Sequence, residues 1–156
     1  MGCSRLDLID KKILKTLQEN GRISNVDLAK EVGISPPPCL RRVRILTERG
    51  YIKSYHAEIS PAKIGYGVHV FSMVTLKSQD QESVKTFESY IAKILIVREA
   101  HLLTGEADFM LRVVAKDWDA YQEFLTEDLM SAPNVVSVKS FLSLRTGKNL
   151  PGIPIE

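Results

Sequence analysis

The stretch SNVDLAKEVGISPPPCLRRVRILTERG, residues 24–50, predicts two helices joined by a short turn that contains a glycine. Ser24 is a favourable N-cap for the first helix, and Asp27 three residues later completes a capping-box pattern. Gly33 stands where a glycine commonly ends a helix, and Ser35, followed by a proline, favours the start of a second one. Two short helices in this arrangement are typical of a helix-turn-helix motif, whose second helix enters the major groove of DNA.

The predicted second helix is rich in arginine. Residues 35–50 contain four arginines and a single acidic residue, Glu48. Arg41, Arg42 and Arg44 fall within about one turn near the start of the helix, where a recognition helix contacts bases and phosphates. A helical hairpin with a solvated basic face has the same pattern, so the motif alone leaves that alternative open.

The other positions of this helix predict how it packs. Leu40, Val43 and either Leu46 or Thr47 follow helical spacing and are expected to face inward. Three consecutive prolines, at residues 36–38, predict a stiff first turn. They are compatible with a helix because the N–H groups of its first turn have no intrahelical partner.

Length and charge indicate two domains with different roles. The chain has 156 residues, 44% of them hydrophobic, which suffices for one large or two small cores. Residues 1–60 carry a net charge of +4 and residues 61–156 a net charge of −2, so only the first part has the electrostatic footprint of a nucleic-acid partner. Proline and glycine punctuate the chain at residues 61–67, and we place a DNA-binding domain at residues 1–62 and a second domain at residues 63–156.

Metal, redox and membrane functions find no support in the sequence. Cys3 and Cys39 form no CxxC pair, and His56, His69 and His101 lack metal-ligand spacing. No apolar run is long enough to span a membrane, and the N-terminus lacks the apolar core of a signal peptide. We therefore expect a cytoplasmic protein without a bound metal or cofactor.

Periodicity predicts the remaining elements. Residues 6–20 predict a helix capped by Asp7 that packs behind the helical pair, and residues 51–60 predict a wing or connecting strand. Strands are predicted at residues 66–77, 97–104, 109–115 and 135–145, and helices at residues 79–94 and 117–130. The order βαββαβ is the ferredoxin-like arrangement. Its sheet has helices on one face only, so we expect the other face to pair with a second copy in a homodimer.

Together these motifs resemble the Lrp/AsnC family of bacterial and archaeal transcription regulators. The resemblance covers residues 6–151 and rests on LDLIDKKIL (6–14), NGRISNVDLA (20–29), VGISPPPCLRRVRIL (32–46), ERGYI (48–52) and LLTGEADFMLRVV (102–114). It implies an α+β protein: an N-terminal winged helix-turn-helix domain that binds operator DNA, then a ferredoxin-like domain that dimerises and senses a small molecule, usually an amino acid. It also implies that dimers assemble into octamers, and we expect a nucleoid-associated regulator without catalysis.

The resemblance further implies which residues contact DNA and ligand. The DNA-binding set, within the segment from residue 25 to residue 44, is Asn25, Ser35, Pro37, Pro38, Cys39, Arg41, Arg42 and Arg44. The ligand-binding set, around a loop at residues 104–108, is Leu102, Thr104, Gly105, Glu106, Asp108, Trp118 and Phe141. Asp108 is expected to pair with the ammonium of an amino acid, while turn amides near Gly105 hold its carboxylate. The alternative is that Asp108 only ends a hairpin turn.

The chain departs from the family pattern in three places. It has three prolines where the family has two around a small residue, and Ile45 where a further arginine is frequent. Glu106 and Ala107 replace a small or acidic residue and an aromatic one, which leaves the effector open. Two other functions remain as alternatives. One is an enzyme on the ferredoxin-like fold, although His101, Glu106 and Asp108 form no nucleophile–base set. The other is a metabolite-sensing assembly module without specific DNA binding.

Overall fold

The computed structural model describes residues 6–156, so Cys3 lies outside the described residues, and the chain divides into two compact units. The first consists of the residues up to Glu58 together with Lys148–Glu156, and the second of Ile59–Gly147. The C-terminal tail, placed in the second domain by the sequence prediction, therefore groups with the first unit. The side-chain amide of Gln18 explains this: its Nε2 donates to the carbonyl of Ile153 at 2.8 Å, and its Oε1 accepts the N–H of Ile153 at 3.0 Å.

The first unit contains three helices, α1 (Leu8–Glu19), α2 (Asn25–Val32) and α3 (Pro36–Glu48). The predicted caps are confirmed: the Asp7 carboxylate accepts the N–H of Asp10 at 2.8 Å, and the Ser24 hydroxyl accepts that of Asp27 at 3.1 Å. Gly33 ends α2 in the left-handed region at φ +77°, which glycine adopts without steric cost. The helices bury a common core made of Ile13, Leu28, Ala29, Val32, Cys39 and Leu46.

Residues 51–60 form no strand, contrary to the prediction. β-formers alternate there, but a strand needs a partner that supplies a hydrogen-bond ladder, and no described strand pairs with this segment. Instead, the N–H groups of Tyr51 and Ile52 both donate to the carbonyl of Leu46, at 2.9 and 3.3 Å. Their side chains pack against the helical core, so the segment continues the helical unit.

The second unit has the predicted order of elements: β1 (Val68–Leu76), α4 (Gln81–Ile91), β2 (Val97–Leu102), β3 (Phe109–Ala115), α5 (Trp118–Glu123) and β4 (Val135–Leu142). The strands form one antiparallel sheet in the order β2-β3-β1-β4. The predicted helix at residues 117–130 is interrupted, because α5 gives way to a π-helical turn at Phe124–Leu129. Such a turn has a wider hydrogen-bond pattern than the α-helix.

The two faces of the sheet differ in burial. On one face, Val70 and Val74 pack with the buried side chains of α4 and α5. This face carries one fully buried polar side chain, Ser72, whose hydroxyl bonds to that of Tyr121 at 3.0 Å and is thereby satisfied. On the other face, no described helix covers the alternating positions, which are only half-buried or exposed: His69, Phe71, Met73, Thr75, Met110, Arg112 and Phe141.

Candidate DNA-contacting and ligand-binding sites

One face of α3 is exposed. Pro37, Leu40, Arg41 and Arg44 recur at intervals of three and four residues, which places them on one side of the helix, and all four are exposed. The prediction that Leu40 faces inward is wrong, because 41% of its surface is accessible. Arg41 and Arg44, predicted to contact DNA, both lie on this outward face.

The opposite face of α3 contains Cys39, Val43 and Leu46, which pack in the helical core. Helical spacing fits this set as well as it fits Leu40, Val43 and Leu46, and packing selects the first. The prediction that Cys39 contacts the DNA groove is therefore wrong: its side chain has no exposed surface. The alternative interpretation of Cys39 as a small packing residue describes what the structure has.

The start of α3 lacks the usual hydrogen-bonded cap. Ser35 occupies the N-cap position, but its side chain accepts no hydrogen bond, because the N1 to N3 positions are prolines and have no N–H. The N–H of Cys39 is the first to bond within the helix, donating to the Ser35 carbonyl at 3.3 Å. The predicted DNA contact Asn25 donates from Nδ2 to the carbonyl of Pro36 at 2.9 Å, so its amide joins the start of α2 to that of α3.

Arg42 differs from its neighbours because its guanidinium bonds to α1. Its Nη1 lies 2.7 Å from a carboxylate oxygen of Asp7 and 2.7 Å from one of Asp10, and 31% of the side chain is exposed. The carboxylates of Asp10 and Asp7 raise the pKa of Arg42. The pKa of Asp7 is lowered, first by the N–H of Asp10 and then by the Arg42 guanidinium. The arrangement ties the start of α1 to the recognition helix.

In the second unit, Asp108 is buried, with 5% of its surface accessible. Its Oδ2 accepts the N–H of Leu76 at 2.6 Å, and its Oδ1 accepts from Nε2 of Gln79 at 2.7 Å. Its own N–H donates to the carbonyl of Val74 at 2.9 Å. Both carboxylate oxygens are therefore engaged at the end of β1, which favours the alternative that Asp108 fixes the turn over a pairing with a ligand's ammonium.

The structure brings together only part of the predicted ligand set. Leu102, with 58% of its surface accessible, leads into an exposed loop at residues 104–106, where Gly105 has φ +142°. Trp118 lies on the helix-covered side of the sheet, where its ring packs 5.4 Å from that of Tyr121. Phe141 instead pairs with Phe71 on the open face. Within one chain, the sheet therefore separates Phe141 from Trp118.

Two classes of feature are absent from residues 6–156. No group of three or more His, Cys, Asp or Glu side chains there is arranged to hold a metal ion. No helix in the same range is both long and apolar enough to cross a membrane.

The fold and these sites can be compared with known proteins. Residues 6–53 match the model of winged helix-turn-helix DNA-binding domains, and residues 69–153 match that of the Lrp/AsnC ligand binding domain. The chain belongs to the Lrp/AsnC family. It is 46% identical to the leucine-responsive regulatory protein of Rhizobium meliloti, over 92% of each chain. It is 43% identical to the Bkd operon transcriptional regulator of Pseudomonas aeruginosa, over 92% of this chain and 94% of that one.

Solved structures agree with this assignment to the Lrp/AsnC family. A transcriptional regulator of Neisseria meningitidis, crystallised as a complex with L-Met, superposes with a TM-score of 0.92 at 34% identity, covering 96% of this chain and 97% of that one. The predicted α+β architecture is thereby confirmed. The matched relatives are DNA-binding transcriptional regulators, a class without catalytic activity, so the enzyme alternative falls away.

Proposed function

We propose that this Lrp/AsnC protein is a sequence-specific regulator that binds operator DNA as a homodimer, with dimers assembling into octamers, and that an amino acid modulates its binding. It acts on the nucleoid in the cytoplasm. The observation that carries the proposal is the outward face of α3, where Arg41 and Arg44 are exposed within a winged helix-turn-helix unit. The same chain carries a ligand binding domain of the family.

The DNA-contacting role of α3 follows from its chemistry. Arg41 and Arg44 present guanidinium groups on the accessible side of the second helix of the motif. Guanidinium groups pair with phosphates and with the O6 and N7 atoms of guanine. The hydroxyl of Ser35 accepts no intrahelical bond and is exposed at the start of the same helix. These side chains form the proposed contact surface, and Pro37 and Pro38 supply its leading edge.

Arg42 takes a different role in this proposal: it positions α3 through Asp7 and Asp10. If so, Asp10→Asn weakens operator binding, because the recognition helix loses an anchor. If Arg42 contacted DNA, the same change would free the guanidinium and strengthen binding. We expect Arg42→Ala and Asp10→Asn to weaken binding by a similar factor, about fivefold for a partly exposed ion pair, measured by fluorescence anisotropy with labelled operator. A rise in affinity with Asp10→Asn would contradict the positioning role.

The same ion pairs predict a dependence on pH. The folded pKa of Asp7 lies below its ordinary value, so its pairing with Arg42 stabilises the folded state at neutral pH. That contribution is lost as the pH falls through the lowered pKa, because the protonated carboxyl no longer attracts the guanidinium.

The effector proposal rests on the relatives and on the loop at residues 104–106. One relative is named leucine-responsive, and one superposed structure is a complex with L-Met. An amino acid offers a carboxylate that turn amides can hold, and the exposed loop around Gly105 has no side chain in the way at that position. Because Asp108 is engaged within its own chain, the ammonium is bound by another group in this proposal.

The experiment has a DNA arm and an effector arm. Selection from a randomised duplex library is expected to enrich a dyad-symmetric site whose halves lie about one helical turn, ~10 base pairs, apart. A thermal-shift screen of the twenty amino acids is expected to raise the midpoint temperature for the effector, which binds only the folded state. Failure to enrich any sequence would contradict specific DNA binding, and a flat screen would contradict the amino-acid effector.

Two glycine variants sharpen the effector arm. Gly105→Ala is expected to abolish the effector's thermal shift, because φ +142° is rarely adopted by residues with a side chain and the loop must rearrange. Gly147→Ala is the matched control, since no atom lies within 4 Å of the added methyl group and its φ is not in the left-handed region. An effector shift that survives Gly105→Ala would place the ligand site elsewhere. DNA binding without effector is expected to persist in both variants.

A further inference from the structure

The leading half of the α3 contact surface is apolar. Pro36, Pro37, Pro38 and Leu40 are all exposed, and Leu40 has 41% of its surface accessible. The N-terminal residues of a recognition helix are the ones that contact base edges in the major groove. In this chain, those positions therefore present ring and methyl carbons to the DNA.

The triple proline also removes the hydrogen-bond donors that this end of a helix normally offers. The free N–H groups of the first turn usually make a helix N-terminus a binding site for phosphate. Positions N1 to N3 of α3 are prolines, and the N–H of Cys39 already donates to the Ser35 carbonyl. The backbone at the start of α3 can therefore neither hold a phosphate nor donate to a base.

The apolar end of α3 limits what it can recognise. Among the groups that base pairs display in the major groove, the only apolar one is the 5-methyl group of thymine. The guanidinium groups on the same face belong to Arg41 and Arg44, which follow Leu40 and supply the charge complementary to the DNA backbone. An apolar side chain flanked by these cations is placed to approach base edges while the arginines hold phosphates or guanines.

We propose that Leu40, assisted by the ring of Pro37, contacts a thymine methyl group in each operator half-site and selects thymine there. This inference rests on the proposed sequence-specific DNA binding and names the feature that is recognised. The discrimination comes from burial of the methyl group and not from a hydrogen bond. Deoxyuridine, which differs from thymidine only in lacking that methyl group, is therefore a direct probe.

The test uses the full-length protein and a selected operator in which each thymine is replaced in turn by uracil. At one position of each half-site, uracil is expected to weaken binding about fourfold, the factor that burial of one methyl group supplies, and about sixteenfold when both halves are changed. Leu40→Ala is expected to bind thymine and uracil operators equally. The matched control is Leu8→Ala, an exposed leucine on α1 with 79% of its surface accessible, which is expected to keep the discrimination.

The outcomes separate this inference from the function on which it rests. If no operator can be selected, sequence-specific binding fails and the inference falls with it. If an operator is selected but every uracil substitution leaves binding unchanged, only the thymine contact is overturned. If uracil weakens binding equally in Leu40→Ala and in the unchanged protein, the methyl group is recognised by another residue and the assignment to Leu40 is wrong.

Discussion

A carboxylate on the open face of the sheet, introduced by Phe71→Asp, is expected to convert the proposed dimer into a monomer and to weaken operator binding at least about hundredfold. Burying an unpaired charge in an apolar contact costs about 3–5 kcal/mol, enough to dissociate a dimer of moderate affinity. A monomer carries one recognition helix and can occupy only one half-site, so it loses the second set of contacts. Sedimentation velocity measures the oligomeric state, and anisotropy with labelled operator measures the affinity.

The composition of this face explains why it is expected to be buried. Phe71 pairs with Phe141 on β4, and Met73 with Met110 on β3, so apolar side chains from three strands adjoin one another. Contiguous exposed apolar surface of this kind marks an interaction site. A second copy is the proposed partner because an antiparallel sheet with helices on one side leaves its other side to pair with an identical sheet.

The charges on this side of the sheet are already paired. Arg112, the cross-strand neighbour of Phe71, donates from Nε to a carboxylate oxygen of Glu99 at 2.7 Å. Partial burial opposes ionisation of Glu99, but the attraction of Arg112 outweighs it and lowers the pKa of Glu99 below its ordinary value. A neutralised ion pair can enter an interface at a smaller desolvation cost than an isolated charge.

Leu95→Asp provides the matched control for the dimer prediction. Leu95 is a leucine in the turn before β2, 83% accessible, outside the four strands of the sheet. The same kind of substitution there is expected to leave both the oligomeric state and the operator affinity unchanged. A Phe71→Asp variant that remains dimeric at low micromolar concentration would show that the open face is not the dimer contact.

The double variant Arg41→Ala/Arg44→Ala is expected to weaken operator binding by about two orders of magnitude. An arginine that contacts a base contributes about 1–3 kcal/mol, and loss of a phosphate contact also weakens binding. Both guanidinium groups lie on the exposed face of α3, so their removal is expected to leave the helical core and the free energy of unfolding nearly unchanged. Equilibrium unfolding in urea provides that check.

Lys30→Ala/Lys85→Ala is the matched control for the arginine prediction, because it also removes two exposed positive charges. Lys30 lies on α2 and Lys85 on α4, outside the recognition helix. The control is expected to change affinity much less than the arginine variant does. Equal losses in the two variants would mean that net charge, and not the α3 surface, determines binding.

Local signals in the sequence predicted most of the fold. The caps at Asp7 and Ser24, the helix-ending Gly33 and the alternation along β1 depend on residues within a few positions of one another. Interactions over such short separations are encoded in spacing, so the elements and their order could be predicted. The strand predicted at residues 51–60 was wrong because strand formation depends on a partner, which local propensity does not report.

The sites depended on contacts that spacing does not encode. Leu40 and Cys39 are adjacent, and which of them faces the core is decided by how α3 packs against α1 and α2. The ion pairs of Arg42 span 35 and 32 residues of chain. The bond from Asp108 to the N–H of Leu76 spans 32 residues. Such pairings become visible only when distant segments are brought together, so sequence motifs could name these residues but not assign their roles.

The salt dependence of operator binding tests the central claim, that the exposed face of α3 lies on duplex DNA, most directly. Affinity is measured from about 50 to 200 mM salt for the unchanged protein and for Arg41→Ala/Arg44→Ala. The account predicts that the logarithm of the association constant falls steeply with the logarithm of salt concentration, and that the double variant reduces this slope by about two, one for each lost phosphate contact. Slopes that coincide, or binding that does not depend on salt, would contradict it.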